Sequence, residues 1–358
     1  MLLSRVKAVR KIISGRQCTH ALVTDPVDVE YISGFRASNA ALLISPTRLE
    51  LFTDFRYMEA AKEFCRFSKW KFTMIEESNF KYLKNKIGSE AVIGFQSDAM
   101  TIDRYRELKK ALPKAKLVPL SSEVADIAVQ KLDREIASMK AAARIGDRAF
   151  KTLLPRVKKS MTELELARLL ESICADFGSE RPAFETIVLF GERSALPHGR
   201  PGGRKLAGGD FILMDFGCTV DGFRSDMTRT VVYGEPSDIQ RNIYNVVGKA
   251  QGAARSAACA GITGRELDGA ARDVITASGF GEFFGHAAGH GVGLRVHEKP
   301  RVGKNNETVL PENCVVTIEP GVYIPGTGGV RIEDMAVLNK KGAAFLTHST
   351  RKLIELPL

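Results

Sequence analysis

Two stretches of the chain are built on one plan, an apolar hairpin that carries two carboxylates. The first, FILMDFGCTVDGFRSDMTRTVVY, holds Asp215 and Asp226, eleven positions apart. The second, CVVTIEPGVYIPGTGGVRIEDMAVL, holds Glu319 and Glu333, fourteen apart. Two helix-forming stretches precede each hairpin: LDREIASMKAAARIGDRAFKTLL and TELELARLLESICADFG before the first, IQRNIYNVVGKAQGAARSAA and TGRELDGAARDVITASG before the second. Thr162 with Glu165, and Thr263 with Glu266, have the spacing of a helix capping box. Helix–helix–hairpin thus occurs twice between residues 126 and 358, which predicts an internal pseudo-twofold fold. The carboxylate pairs are then expected to face each other across the pseudo-axis. A charged carboxylate in an apolar strand is costly unless a positive group neutralises it. A dinuclear metal centre would neutralise all four at once.

Residues 1–125 follow a different pattern. HALV, AALLIS, LELFTDF, KWKFTMIE and AVIGFQ read as strands, FRYMEAAKEFCRFS reads as a helix, and Asp25-Pro26 reads as a turn signal. The expectation is a small α/β domain around a mixed sheet, ending near Pro119–Asp126. The resulting division is 1–125 for an N-terminal domain and 126–358 for a catalytic domain, consistent with a length of 358 residues.

Composition narrows the functional classes. No apolar run approaches the roughly 20 residues of a membrane span. The basic, amphipathic start MLLSRVKAVRKIISGRQ reads as a surface helix and not as a secretory signal. Six dispersed cysteines without CxxC pairs fit reduced thiols and a cytoplasmic location. The net charge of +10 is concentrated in residues 1–125, where 21 Lys and Arg face 14 Asp and Glu. Those charges are dispersed and lack an aromatic-interleaved stripe, so a solvated surface is favoured over nucleic-acid binding.

Asp215, Asp226, His290, Glu319 and Glu333 form an oxygen-rich ligand set with one imidazole. It suits two divalent ions, Mn²⁺ first, with Co²⁺ or Zn²⁺ as alternatives. Such a pair of ions can share a hydroxide and hold it against a carbonyl, which implies hydrolysis of an amide-like bond. No GxSxG elbow and no recognisable Cys nucleophile motif competes with this reading. Four of the six histidines, His198, His286, His290 and His297, lie in or beside these segments. His198 and His297 are candidates for substrate or oxyanion contacts, and His286 for the same role or for support of a ligand. Arg331, two residues before Glu333 and expected on the same strand face, is a candidate to orient a carboxylate or bind a substrate carboxylate. Asp334 alternates to the other face and is expected to be structural, whereas Glu298 is open to either role.

These motifs resemble the pita-bread metallopeptidases, specifically the proline peptidases aminopeptidase P and prolidase. The resemblance rests on ALPHGRPG, MDFGCTVDGFRSDMTRT, GHGVGLRVHEKP, TIEPGVYIPGTGGVRIED, YISGFRASNAALLI and LFTDFRY, which together span most of the chain. It implies an α/β architecture with a creatinase-like N-terminal domain and a duplicated pita-bread catalytic domain. It also implies a homodimer and cleavage of the Xaa-Pro bond at the N-terminus of proline-containing peptides. In that pattern Asp215, Asp226, His290, Glu319 and Glu333 match metal ligands, and Glu319 also matches a proton shuttle. His198, His286, His297 and Arg331 match substrate or transition-state contacts. SGFRASNA and FTDFRY tilt the reading slightly toward aminopeptidase P, with the Xaa-Pro dipeptidase as the alternative and a non-catalytic binding module of the same fold as a distant one. Ala287, Ala288, Arg295 and Arg224 depart from the family pattern and are expected to alter pocket shape or electrostatics.

Overall fold

The computed structural model describes residues 2–76, 80–84, 86–88 and 90–358. They form two compact units, Met1–Ala128 and Val129–Leu358. Among the described residues no helix is long and apolar enough to cross a membrane.

The first unit is built on a six-stranded mixed sheet. Its spatial order is Lys71–Met74, Leu49–Thr53, Ala40–Ile44, His20–Val23, Val92–Phe95, Lys116–Pro119. Ala40–Ile44 and Leu49–Thr53 are buried at every residue, as expected of short apolar runs covered on both faces. The basic N-terminal segment forms the helix Leu2–Gly15, which buries Val6, Val9 and Ile13. Asp25-Pro26, expected as a turn, instead starts the helix Pro26–Ser33. The Asp25 carboxylate accepts from the N–H groups of Val27 and Asp28 at 3.0 and 3.1 Å. Proline occupies the first helical turn, where a missing N–H costs nothing.

The second unit repeats itself. Helices Asp133–Leu153 and Glu163–Asp176 lead to the antiparallel pair Asp210–Phe216 and Met227–Tyr233. Helices Asp238–Ala257 and Gly264–Ala277 lead to Val315–Ile318 and Asp334–Asn339. Both capping boxes are closed: Thr162 N–H donates to Glu165 at 2.7 Å and Thr263 N–H to Glu266 at 2.7 Å. Even the isolated strand bridges of the two capping threonines, Thr162 with Lys205 and Thr263 with Val309, are equivalent. Each half has its own apolar layer between helices and sheet. Ala142, Phe150, Leu170 and Ile212 belong to one, and Val247, Leu267, Val316 and Ile318 to the other. Each fully buried aliphatic side chain of this kind contributes about 1.5–3 kcal/mol.

The second hairpin is less simple than its sequence. A two-stranded ribbon, Gly321–Ile324 with Gly328–Arg331, is inserted between its main strands. Arg331 therefore ends the ribbon, while Glu333 lies in the break before Asp334–Asn339. The shared-face expectation for these two residues gives way to a link through a third side chain, described next.

Candidate active site

The two main hairpins meet at their carboxylate ends, where Glu333 N–H donates to the Thr228 carbonyl at 3.1 Å. Around this junction lies a cavity of about 760 Å³. All nine candidate residues line it: Asp215, Asp226, His290, Glu319, Glu333, His198, His286, His297 and Arg331.

His290 sits on the short strand Gly289–Gly291, packed between Val315–Ile318 and Glu298–Val302. The flanking glycines make that position accessible. A Cβ at Gly289 would run into the Thr317 carbonyl, and one at Gly291 into the Lys299 carbonyl. The His290 ring has Nδ1 3.1 Å from the Gly291 carbonyl, which can only accept, so Nδ1 carries the proton. Nε2 is left as a lone pair, 3.4 Å from Glu319 Oε1 and 3.8 Å from Asp226 Oδ2. Burial lowers the pKa of His290 and keeps the ring neutral.

The carboxylates crowd one another. Burial, then the charges of Glu333, Asp215 and Glu319, push the Asp226 carboxyl well above its usual range. Burial, then Glu319 and Asp215, does the same to Glu333. Donor atoms of Asp226, His290 and Glu333 lie within 4.8 Å of one another. Asp215 Oδ1 is buried without a hydrogen-bond partner. Hard oxygen donors, a neutral imidazole presenting its lone pair and mutually repelling carboxyls together fit divalent cations.

Arg331 organises the opposite wall and is itself buried. It donates to Asp215 Oδ2 at 2.6 Å, to the Tyr323 hydroxyl at 2.8 Å and to the Thr228 hydroxyl at 3.0 Å. Thr228 in turn donates to Glu333 Oε2 at 2.6 Å, so this hydroxyl is what joins Arg331 to Glu333. Donor logic orders the rest of the chain. His286 Nδ1 faces the Ala287 carbonyl at 2.7 Å and must donate to it. His286 Nε2 therefore accepts from the Tyr323 hydroxyl at 2.9 Å. Burial lowers the His286 pKa, in keeping with this neutral tautomer. His297 stands edge-on to His290, ring centres 4.3 Å apart, and is exposed toward the cavity, as is His198.

Tyr323, Thr228 and the pair Asp268–Arg272 escape sequence reasoning. Arg272 is bound twice by Asp268, at 2.6 and 2.8 Å, and holds the His286 carbonyl at 2.7 Å. Asp268 also accepts from Ala288 N–H, and the Ala288 carbonyl accepts from Glu319 N–H, both at 2.9 Å. Ala288 thus lies on the path that holds Glu319, whereas the Ala287 carbonyl accepts from His286. Tyr323 lies within the TIEPGVYIPGTGGVRIED stretch and Asp268 on the helix Gly264–Ala277, but neither has a sequence spacing that marks it as a partner of His286 or of its carbonyl.

A duplicated α/β unit whose two halves bring carboxylates to one imidazole-bearing cavity, alongside a mixed-sheet N-terminal unit, defines a metallopeptidase of the pita-bread class. Residues 137–340 match the model of metallopeptidase family M24, and residues 5–127 match the creatinase/prolidase N-terminal domain. The chain belongs to this family. It is 36% identical to an Xaa-Pro dipeptidase of Pyrococcus horikoshii, covering 98% of both chains. The solved structure of an Xaa-Pro dipeptidase from Bacillus anthracis superimposes with a TM-score of 0.95 at 35% identity, covering 100% of both. An X-Pro aminopeptidase from Thermotoga maritima gives 0.90 at 35% identity over 99% of both.

Proposed function

We propose that this metallopeptidase is an Xaa-Pro dipeptidase, hydrolysing dipeptides whose second residue is proline. The observation that carries the reading is the make-up of the cavity lining. Apolar Phe184, Ile187 and Val296 lie with the histidines; Lys299 and Arg301 supply positive charge, while Arg200 is paired with Glu185 at 3.3 Å. An apolar wall suits a proline ring. A dipeptide presents its carboxylate one residue beyond the scissile bond, where cationic side chains favour it over the neutral amide of a longer peptide. The dipeptidase names of the Pyrococcus and Bacillus relatives support the same substrate length. This replaces the slight tilt of the motifs toward aminopeptidase P. That activity is the second reading, favoured by the name of the Thermotoga chain.

Asp215, Asp226, His290, Glu319 and Glu333 would hold two divalent ions, Mn²⁺ being the best match to the oxygen-rich donors. When bound, such ions supply Lewis acidity and neutralise the clustered carboxylates. The protein's own groups do the rest. His198 and His297 donate to the substrate carbonyl oxygen as charge builds on it. Glu319, fixed by the Thr317 hydroxyl at 3.2 Å, takes a proton from the attacking water and delivers it to the proline nitrogen. The C–N bond breaks as the new acyl C–O bond completes the carboxyl group. The neutral His286 and its Tyr323–Arg331 chain hold this wall still.

Steady-state kcat/KM of Mn²⁺-loaded protein on Xaa-Pro dipeptides and Xaa-Pro-Xaa tripeptides tests the reading. A preference for dipeptides is expected. A preference for tripeptides would return the assignment to aminopeptidase P, and turnover of neither with metal bound would reject both.

A further inference from the structure

Lys131 and Glu298 are 167 residues apart, yet Lys131 Nζ lies 2.6 Å from Glu298 Oε1. Their side chains are 1% and 10% exposed. Lys131 is tied down independently: Nζ donates to the Val129 carbonyl at 3.2 Å, and its backbone N–H to the Asn313 carbonyl at 2.9 Å. Glu298 follows His297 directly and lines the cavity.

The Glu298 carboxylate sits inside the loop that bears His297. Arg295 N–H approaches Oε2 at 3.4 Å. A Cβ on Gly293 would meet both carboxylate oxygens at 2.6 Å, so the loop backbone closes directly over them. Gly293 N–H donates to the Arg295 carbonyl at 3.0 Å, and the Gly293 carbonyl accepts from Arg224 N–H at 2.9 Å. The turn Gly291–His297 is therefore wrapped round one buried negative charge. Arg295 and Arg224, the two cationic departures from the family pattern, both belong to this wrapping through their backbone N–H groups. A carboxylate so enclosed is tolerated only while a cation is held against it.

We infer that Lys131 is a positioning residue for the active site: by neutralising Glu298 it closes the Gly291–His297 turn and sets His297 against His290. The kinetic part of this inference rests on the peptidase reading above, whereas its structural part does not. Without Lys131 the buried carboxylate draws water, the turn opens, and His297 loses its fixed place on the cavity wall. The alternative is an ion pair that stabilises the whole unit with no special effect on the turn.

Hydrogen exchange of metal-free Lys131→Met, read by mass spectrometry peptide by peptide, separates these. Exchange in 291–301 is expected to quicken by about 10-fold or more, with the hairpin 210–233 unchanged. In the metal-loaded enzyme kcat should fall by roughly 10-fold or more at unchanged metal content, and Lys131→Arg should restore most of it. Unchanged exchange in 291–301, or equal quickening across Val129–Leu358, would overturn the inference. Should Lys131→Met not yield folded protein, the double variant Lys131→Met/Glu298→Gln leaves no buried charge to neutralise: exchange in 291–301 close to that of the unaltered protein is expected, and a quickening of about 10-fold there would overturn the inference. A protein that fails to cleave Xaa-Pro substrates in its unaltered form loses the kinetic arm only, and exchange then decides the role of Lys131.

Discussion

The Arg331 guanidinium holds one oxygen of Asp215 at 2.6 Å, while the other, Oδ1, is buried without a hydrogen-bond partner. One carboxylate is thereby divided between a structural anchor and an oxygen left for another partner, on a residue that lines the cavity. Replacing Arg331 by Met releases that anchor. Partners of this kind typically contribute about 10–100-fold to metal affinity, and a loss of that size is expected for Mn²⁺. Calorimetric titration checks it; an unchanged affinity would mean that Asp215 orients itself.

Tyr323→Phe deletes the hydroxyl that accepts from Arg331 and donates to His286, with little change in packing. Hydrogen bonds involving charged groups contribute about 1.5–3 kcal/mol, so turnover is expected to fall roughly 10–100-fold. Metal content should be retained. Kinetics beside metal analysis separates this outcome from a variant that has lost its ions.

Asp334, next to Glu333, is buried among close partners, with the more exposed Arg351 farther off at 3.5 Å. Arg229 binds it at 2.6 Å, Arg255 and Gln251 at 2.7 Å, and the Thr347 hydroxyl at 2.8 Å. Arg229 is 1% exposed, so Asp334→Ala leaves a buried guanidinium without its counter-charge. Removing one partner of such a pair costs about 3–5 kcal/mol. Urea unfolding of the variant should show a loss of this order; a change below about 1 kcal/mol would mean that water takes the place of the carboxylate.

In the first unit Asp54 makes one pH-dependent contribution. Its hydrogen bond from Arg56, only partly opposed by burial and aided by Asn39, lowers the carboxyl to about 2. The unfolded carboxyl titrates near 3.9, so the unfolded state binds the proton more readily. The contribution of these contacts is complete above the unfolded pKa and is lost as pH falls through about 2. A carboxyl-detected NMR titration should find Asp54 still ionised at pH 3. A midpoint near the unfolded value would show that Arg56 does not stay bound in solution.

What could be read from sequence followed from local rules. The threonine–glutamate boxes at Thr162 and Thr263 announce two helix starts, and their repetition announces the duplicated unit. The acids, histidines and Arg331 stand out because charged groups in apolar strands need a reason. Long-range partners were silent. Nothing near Thr228 says that its hydroxyl will bridge Arg331 and Glu333, since that bridge exists only once two hairpins meet. The Asp-Pro pair at Asp25 serves a turn or a helix start equally, and what distinguishes them here is that the Asp25 carboxylate accepts from the N–H groups of Val27 and Asp28. The ribbon Gly321–Arg331 is punctuated in the sequence by Pro320-Gly321 and by the run Pro325–Gly329, but those breakers do not say that the strands beside them pair with each other and not with the main strands.

The most direct test of the account is metal removal and return. The protein is exhaustively chelated, then titrated with Mn²⁺ while hydrolysis of an Xaa-Pro dipeptide is followed. Turnover should vanish in the metal-free protein and recover to saturation at two ions per chain, with Asp226→Ala and Glu333→Ala failing to recover. Persistent turnover in protein shown to be free of metal would contradict the account.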